Sequence, residues 1–180
     1  KSNLKNLGLA LHNYQETHKV FPPGEINGIG QVGAAAAGTT LRNQYGIVQL
    51  LPYIDQAPLY ETLDFNEPFG DYIGGAAPTY TIPAAHLAAK ETQLPVLTCP
   101  SDNGIPFLSD GNYYGCGQSG KSYKSSYHFS VDTTHLQGVW QSDAITSRTA
   151  FGGNSSSRTR DFTDGMSNSI MMCETTFECR

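Results

Sequence analysis

The residues best able to do chemistry fall into three groups, and each asks for a particular surrounding structure. The run Gly115-Cys116-Gly117-Gln118-Ser119-Gly120-Lys121-Ser122 satisfies both GxxxxGK[ST] and GxGxxG. Such a loop cradles phosphates only when a buried apolar strand leads into it and a helix N-terminus follows. Here Asp110-Gly111-Asn112-Tyr113-Tyr114 precedes it, a turn, and Tyr123 to Val131 follows, polar and then strand-like. The sequence reads as a surface turn, with no nucleotide expected. Oxygen-rich clusters stand at Asp102-Asn103-Gly104, Asp110-Gly111-Asn112 and Asp161-Phe162-Thr163-Asp164-Gly165. Calcium wants six to eight oxygen ligands, and Asp161, Asp164 and Asn168 are the candidates for it. The competing reading is turn chemistry, since Asp and Asn cap turns and Gly takes positive φ. No other cofactor is expected. Cys99, Cys116, Cys173 and Cys179 allow three pairings; disulfides, buried thiols and a metal site all stay open, with disulfides the leading reading.

Hydrolytic chemistry finds no frame. There is no GxSxG elbow, and His12, His18, His86, His128 and His135 form no HExxH and no pair at i, i+4. The expectation is a protein that is not an enzyme.

The elements that would carry these residues begin with a helix. Leu4, Leu7, Leu11, Tyr14 and His18 form one stripe of a 3.6-residue period over Lys1 to about His18. Phe21-Pro22-Pro23-Gly24 follows, and proline both lacks an amide hydrogen and restricts its predecessor. Lys1 and Lys5 have the wrong sign for the positive end of a helix dipole, so the helix reads as the lower part of a longer one. Short helices are expected over Asn43 to Leu51 (ended by Pro52), Gln56 to Leu63 and Ala84 to Gln93. Short strands are expected at Pro95 to Thr98, Ser125 to Asp132 and Gly138 to Trp140, with Ser169 to Glu174 as a central strand. Gly28 to Thr40 and Gly152 to Ser157 read as loops, the second a flexible one, and Gly70 to Pro83 as turn-rich.

With 180 residues the chain suits one domain: residues 1–24 as helix and stop, 25–180 as a body packed with it. Charged residues are only 15%, well under the usual quarter or so, and 19 Gly with 10 Pro favour turns and ordered loops. The net charge of -5 and scattered Lys and Arg give no basic face for nucleic acid. No run reaches the roughly 18 apolar residues that span a bilayer.

Four segments carry a resemblance. Asn3-Leu4-Lys5-Asn6-Leu7-Gly8-Leu9-Ala10-Leu11-His12-Asn13-Tyr14 with Val20-Phe21-Pro22-Pro23-Gly24 is the first. Gln49 to Tyr60 (QLLPYIDQAPLY), Leu94 to Asp102 (LPVLTCPSD) and Asp161 to Ile170 (DFTDGMSNSI) with Glu174 follow in order. Together they resemble a large bacterial family of unknown function, abundant in planctomycetes, with prepilin-type N-termini and sometimes indexed as solute-binding-like. The resemblance implies an α+β, pilin-like fold: a long N-terminal helix packed on an antiparallel sheet with long loops. It implies a secreted or cell-surface structural subunit, self-assembling through the helix and reaching the membrane by an upstream segment. The family's leader, apolar half-helix and C-terminal His-x9-Asp-Gly segment are not in this sequence, which reads as a middle piece. The alternative is a surface or periplasmic module binding a solute or glycan. In the Asp164-Gly165-x-Ser167-Asn168 segment the preferred role is scaffolding: Asp164 caps a turn, Gly165 adopts αL, and Ser167 and Asn168 bond backbone amides.

Overall fold

The computed structural model describes residues 2–28, 42–70, 81–108, 122–131, 140, 144 and 148–177. It is an α+β arrangement in which one helix lies across a body of short helices and two-stranded ribbons.

Helix α1, Ser2–His18, buries Leu7, Ala10, Leu11 and Tyr14, the stripe its sequence spacing predicts, with Leu4 half-buried. It rests on a 3₁₀ helix, Gly46–Tyr53, through Leu50 and Leu51, and on a second 3₁₀ helix, Pro95–Leu97. Burial of such side chains is worth about 1.5–3 kcal/mol each, so packing rather than propensity holds the helix. His18 is exposed, yet its ring lies 4.2 Å from that of Tyr14, and its Nε2 is 3.2 Å from the Tyr53 hydroxyl. The helix stops before the prolines act: Lys19 turns left-handed at φ 63°, and its N–H donates to the Gln15 carbonyl at 2.8 Å.

The exit from α1 is fixed by backbone bonds. The Phe21 N–H donates to Ser157 O at 2.8 Å and the Gly24 N–H to Gly152 O at 2.9 Å. Gly46 N–H donates to Gly24 O at 3.0 Å, and a Cβ on Gly46 would overlap the Pro23 carbonyl. Only glycine permits that crossing. Phe21 and Phe151 are buried edge to face, and Phe129 stacks on Phe151 at 4.3 Å.

Helices α2, Ala57–Glu61, and α3, Ala84–Lys90, flank this core. The α2 residues Leu59 and Tyr60, with Leu63 beyond it, are half-buried against the core rather than enclosed by it. His86 of α3 is 3% exposed. Its Nε2 accepts from the Asp64 N–H at 3.0 Å, its Nδ1 pairs with Pro68 O at 3.0 Å, and its ring stacks on Phe69 at 4.1 Å.

The strands pair antiparallel as β1 (Glu25–Ile26) with β2 (Gln44–Tyr45), β3 (Phe107–Leu108) with β4 (Ser122–Tyr123), and β5 (Tyr127–Phe129) with β6 (Met172–Glu174). In the last pair Tyr127 faces Glu174, His128 faces Cys173 and Phe129 faces Met172.

Several expectations are corrected. The segment near Asn43 to Leu51 is a 3₁₀ helix that runs through Pro52 to Tyr53; burial of Leu50 and Leu51 against α1 outweighs the one missing donor. Pro95 to Thr98 is a 3₁₀ turn at Pro95–Leu97, not a strand, because Pro95 opens it with helical φ and Leu97 N–H bonds back to Leu94 O. Residues 169–174 give no central strand: among the described residues β6 is three residues long and pairs with β5 alone. Residues 152–157 are no flexible loop either. Gly152, Gly153, Ser155 and Ser157 are buried, because this segment supplies the carbonyls that receive Phe21 and Gly24. Among the described residues the expected sheet is thus three separate two-stranded ribbons. Gly138 and Val139, most of Gly28 to Thr40 and most of Gly70 to Pro83 lie outside the described residues.

Candidate functional site

Beneath the first turn of α1, polar side chains from four distant segments meet. Asn3 lies four residues before Leu7 and so shares its face. Its Nδ2 donates to Pro95 O at 3.1 Å and to Thr98 O at 3.0 Å. The 3₁₀ turn at 95–97 delivers Cys99, whose N–H donates to Ser126 Oγ at 2.9 Å. Ser126 is fully buried, and its own N–H and C=O bond Leu97 O and Thr175 N–H at 2.8 Å each. β5 and β6 then place Tyr127 opposite Glu174.

Cys99 is buried. Its thiol donates to Glu174 Oε1 at 3.2 Å and lies 3.1 Å from Ser101 Oγ. Tyr127 is 1% exposed. Burial, then its hydrogen bond to the Glu174 carboxylate, push its phenol up to about 12, while the Asn3 side chain works weakly the other way. Glu174 therefore accepts from the Cys99 thiol and stands opposite Tyr127 across the ribbon, while Asn3 ties the 95–98 turn that delivers Cys99 to the helix. The geometry uses the protonated thiol, and a thiolate there would face a carboxylate. That suits a structural hydrogen bond better than a nucleophile.

The disulfide reading is corrected where it can be checked: Cys99 and Cys173 are free thiols. Side chains alternate along a strand, so Cys173 faces away from its neighbour Glu174 and from Cys99. It sits exposed beside His128, 3.7 Å from that residue's carbonyl. Cys116 and Cys179 lie outside the described residues, as do Asp110-Gly111-Asn112 and residues 115–121 of the glycine-rich run. Ser122 and Tyr123, where a phosphate loop would open its helix, form β4.

The calcium candidates are all exposed. Asp161 Oδ2 accepts from the Arg158 N–H at 2.7 Å, capping the 3₁₀ turn Thr159–Asp161. Asn168 Nδ2 donates to Asp164 O at 2.7 Å, directing a donor at one of the oxygens a cation would use. Among the described residues no three His, Cys, Asp or Glu side chains group as a metal site. The scaffold role expected for this segment differs in detail: Asn168 serves a carbonyl rather than an amide, and Ser167 is exposed. Gly165 holds φ 84° with ψ 140°, outside αL but still open only to glycine. Asp102 is the better turn former, its carboxylate accepting from Gly104 N–H at 2.9 Å and Phe177 N–H at 2.6 Å.

A cleft of about 130 Å³ lies between Trp140, Arg148, Ser157, Asp161 and Phe162. Small-molecule sites run to roughly 300–1,000 Å³. The Arg148 guanidinium already covers the indole face at 4.8 Å, and the indole N–H donates to Thr149 O at 3.0 Å.

The sequence marks Cys99 and Glu174 only separately, and the apolar stripe of α1 leaves Asn3 out. The i, i+4 relation of Asn3 to Leu7 was the signal that it faces inward. Nothing in the sequence marked Glu25 or the double bonding of His86.

No curated protein and no solved structure matches the chain. Among the described residues no helix is long and apolar enough to cross a membrane. A family model labelled SBP_bac_10 matches residues 1–179. The chain therefore belongs to the family described as "Protein of unknown function (DUF1559)".

Proposed function

We propose that the chain is a structural, pilin- or pseudopilin-like subunit, exported to the cell surface, where it assembles with its own copies through the N-terminal helix and does no catalysis. One observation carries this reading: the signature segments converge on α1 and its exit, while Asp161 and Phe162 of the last segment also border the small cleft. Asn3 bonds the 94–102 segment. Leu7, Leu11 and Tyr14 pack in one core with Leu50, Leu51 and Ile54 of the 49–60 segment. Phe21 meets Phe162 of the 161–170 segment edge to face at 5.7 Å. In a binding module such residues would line a concave pocket; here they seat and orient a helix. Calcium bracing at Asp161 and Asp164 is compatible with the subunit but not needed for it.

The second reading, a surface or periplasmic solute- or glycan-binding module, is favoured by the family label and by the indole–guanidinium cleft. The volume of that cleft weighs against it.

Two measurements on native cells separate the readings: mass spectrometry of the protein's N-terminal peptide, and antibody-labelled electron microscopy of sheared surface material. The subunit reading expects an N-methylated residue heading an apolar helix that runs into Lys1-Ser2-Asn3, and labelled filaments. An ordinary secretory cleavage close to Lys1, with label only on soluble protein, would overturn it and favour the binding module.

A further inference from the structure

Glu25 is a carboxylate placed where carboxylates are rarely found. It is 8% exposed and follows directly on the Pro-Pro-Gly exit from α1. Three pieces of chain are tied together at this residue. On one side β1 pairs with β2, Glu25 opposite Tyr45. On the other, Glu25 forms a parallel bridge with Gly153, and its carbonyl accepts from the Asn154 N–H at 2.7 Å. Asn154 Oδ1 in turn accepts from the Asn27 N–H at 3.0 Å. The carboxyl group folds back over Gly28 so closely that a Cβ there would overlap it. Gly28 is thus part of the same knot, and the buried carboxyl lies against it.

Among the described residues, the charged or titratable side chains on the paired strand and just ahead of it are those of Tyr45 and of Arg42, whose backbone N–H bonds Asn27 O at 3.0 Å. The 152–154 segment is Gly-Gly-Asn and carries none.

We propose that this knot is a proton-controlled clasp. With Glu25 protonated, residues 24–28, β2 and the 152–154 segment are held together; loss of the proton loosens all three and frees the chain that leaves α1. Its burial supplies the cause, because a buried carboxyl group disfavours its charged form. Burial pushes the Glu25 carboxyl up from 4.5 to about 7. The folded clasp therefore holds its proton more tightly than an opened one. Its stabilisation is fully present below pH 4.5 and is lost as pH rises through about 7, a change of up to about 300-fold in the opening equilibrium.

The test is amide hydrogen exchange on the whole chain, corrected for intrinsic rates, at about pH 5.5 and about pH 8.5; the opening equilibrium at Gly24, Asn27, Gly46 and Asn154 is expected to rise about 30-fold across that interval. Amides of Leu7 to Tyr14 serve as the internal reference and should change little. Glu25→Gln keeps the shape and removes the proton; it is expected to abolish the pH response at those four amides. A flat response in the wild type, or the same response in Glu25→Gln, would overturn the clasp. Should Glu25→Gln fail to fold, carboxyl-carbon NMR of the wild-type chain decides alone: a Glu25 midpoint near 7 supports the clasp, and one near 4.5 overturns it.

Discussion

Asn3 offers the sharpest test of the claim that α1 is anchored, not merely laid against the body. Its Nδ2 serves two backbone carbonyls, Pro95 O at 3.1 Å and Thr98 O at 3.0 Å, the first exposed and the second half-buried. A net hydrogen bond contributes about 0.5–1.5 kcal/mol, towards the lower end where water can replace the donor. Asn3→Ala should therefore cost about 1–2 kcal/mol, a factor of roughly 5–30 in the folded population. Urea unfolding followed by fluorescence of Trp140, the single tryptophan, reads the total. Hydrogen exchange reads the location: the first two turns of α1 should lose protection before the 150–157 segment does. Asn3→Asp sharpens the argument, because a carboxylate cannot donate to either carbonyl and would set its charge against two carbonyl oxygens. It should destabilise more than Asn3→Ala at neutral pH, and approach the alanine value once protonated below about pH 4. Should Asn3→Ala prove neutral within about 0.3 kcal/mol, or Asn3→Asp match the wild type, the anchor is wrong and the apolar stripe alone holds the helix.

Other consequences can be checked on the same protein. The Tyr127 phenol is raised from 10.0 to about 12, so its contribution is intact below pH 10 and lost as pH rises towards 12. Tyr127→Phe should flatten that alkaline loss, which amounts to about 2–3 kcal/mol in a stability–pH profile. Gly46→Ala drives a Cβ into the Pro23 carbonyl, backbone against backbone; a loss above about 3 kcal/mol is expected in thermal or urea melts, and a near-neutral result would contradict the crossing. Native protein treated with a thiol reagent should label Cys173 readily and Cys99 only at the rate of unfolding, as read by peptide mass spectrometry. Equal labelling of the two would break the Cys99–Glu174 arrangement.

The parts of the fold visible in the sequence are those governed by local period. Leu7, Leu11 and Tyr14 announce a helical face because burial repeats with the turn, and the helix expected over Ala84 to Gln93 forms over Ala84–Lys90. Two misreadings share a cause. Pro95-Val96-Leu97, expected as a strand, and Gly46 to Tyr53, a helix expected to end at Pro52, are apolar runs too short for period to fix their type or bounds, and long-range packing under α1 decides them. Residues 152–157 misled differently. Gly and Ser usually mark a mobile loop, but here they are small so that the backbone can approach: a Cβ on Gly152 would fall within 2.5 Å of the Trp140 ring. The polar cluster was legible residue by residue and not as a cluster, because Asn3, Cys99, Tyr127 and Glu174 are joined by strand register and a helix contact that no spacing encodes.

If α1 is the assembling element, its two faces have different tasks. The inner face is occupied by the body from Asn3 to Tyr14. The outer face exposes Lys5, Asn6, His12, Asn13, Glu16 and Thr17, with Leu9, 52% exposed, as its one large apolar side chain. Such a face cannot form a dry seam of the coiled-coil kind, which needs apolar residues at two positions of every seven. Contacts between copies over this stretch would be wet, and Lys5 and Glu16 would make them sensitive to salt. The described part of α1 thus behaves as a strut that sets the attitude of the body. That is the task for which the Asn3 anchor, the left-handed Lys19 and the buried Pro22 exit are arranged.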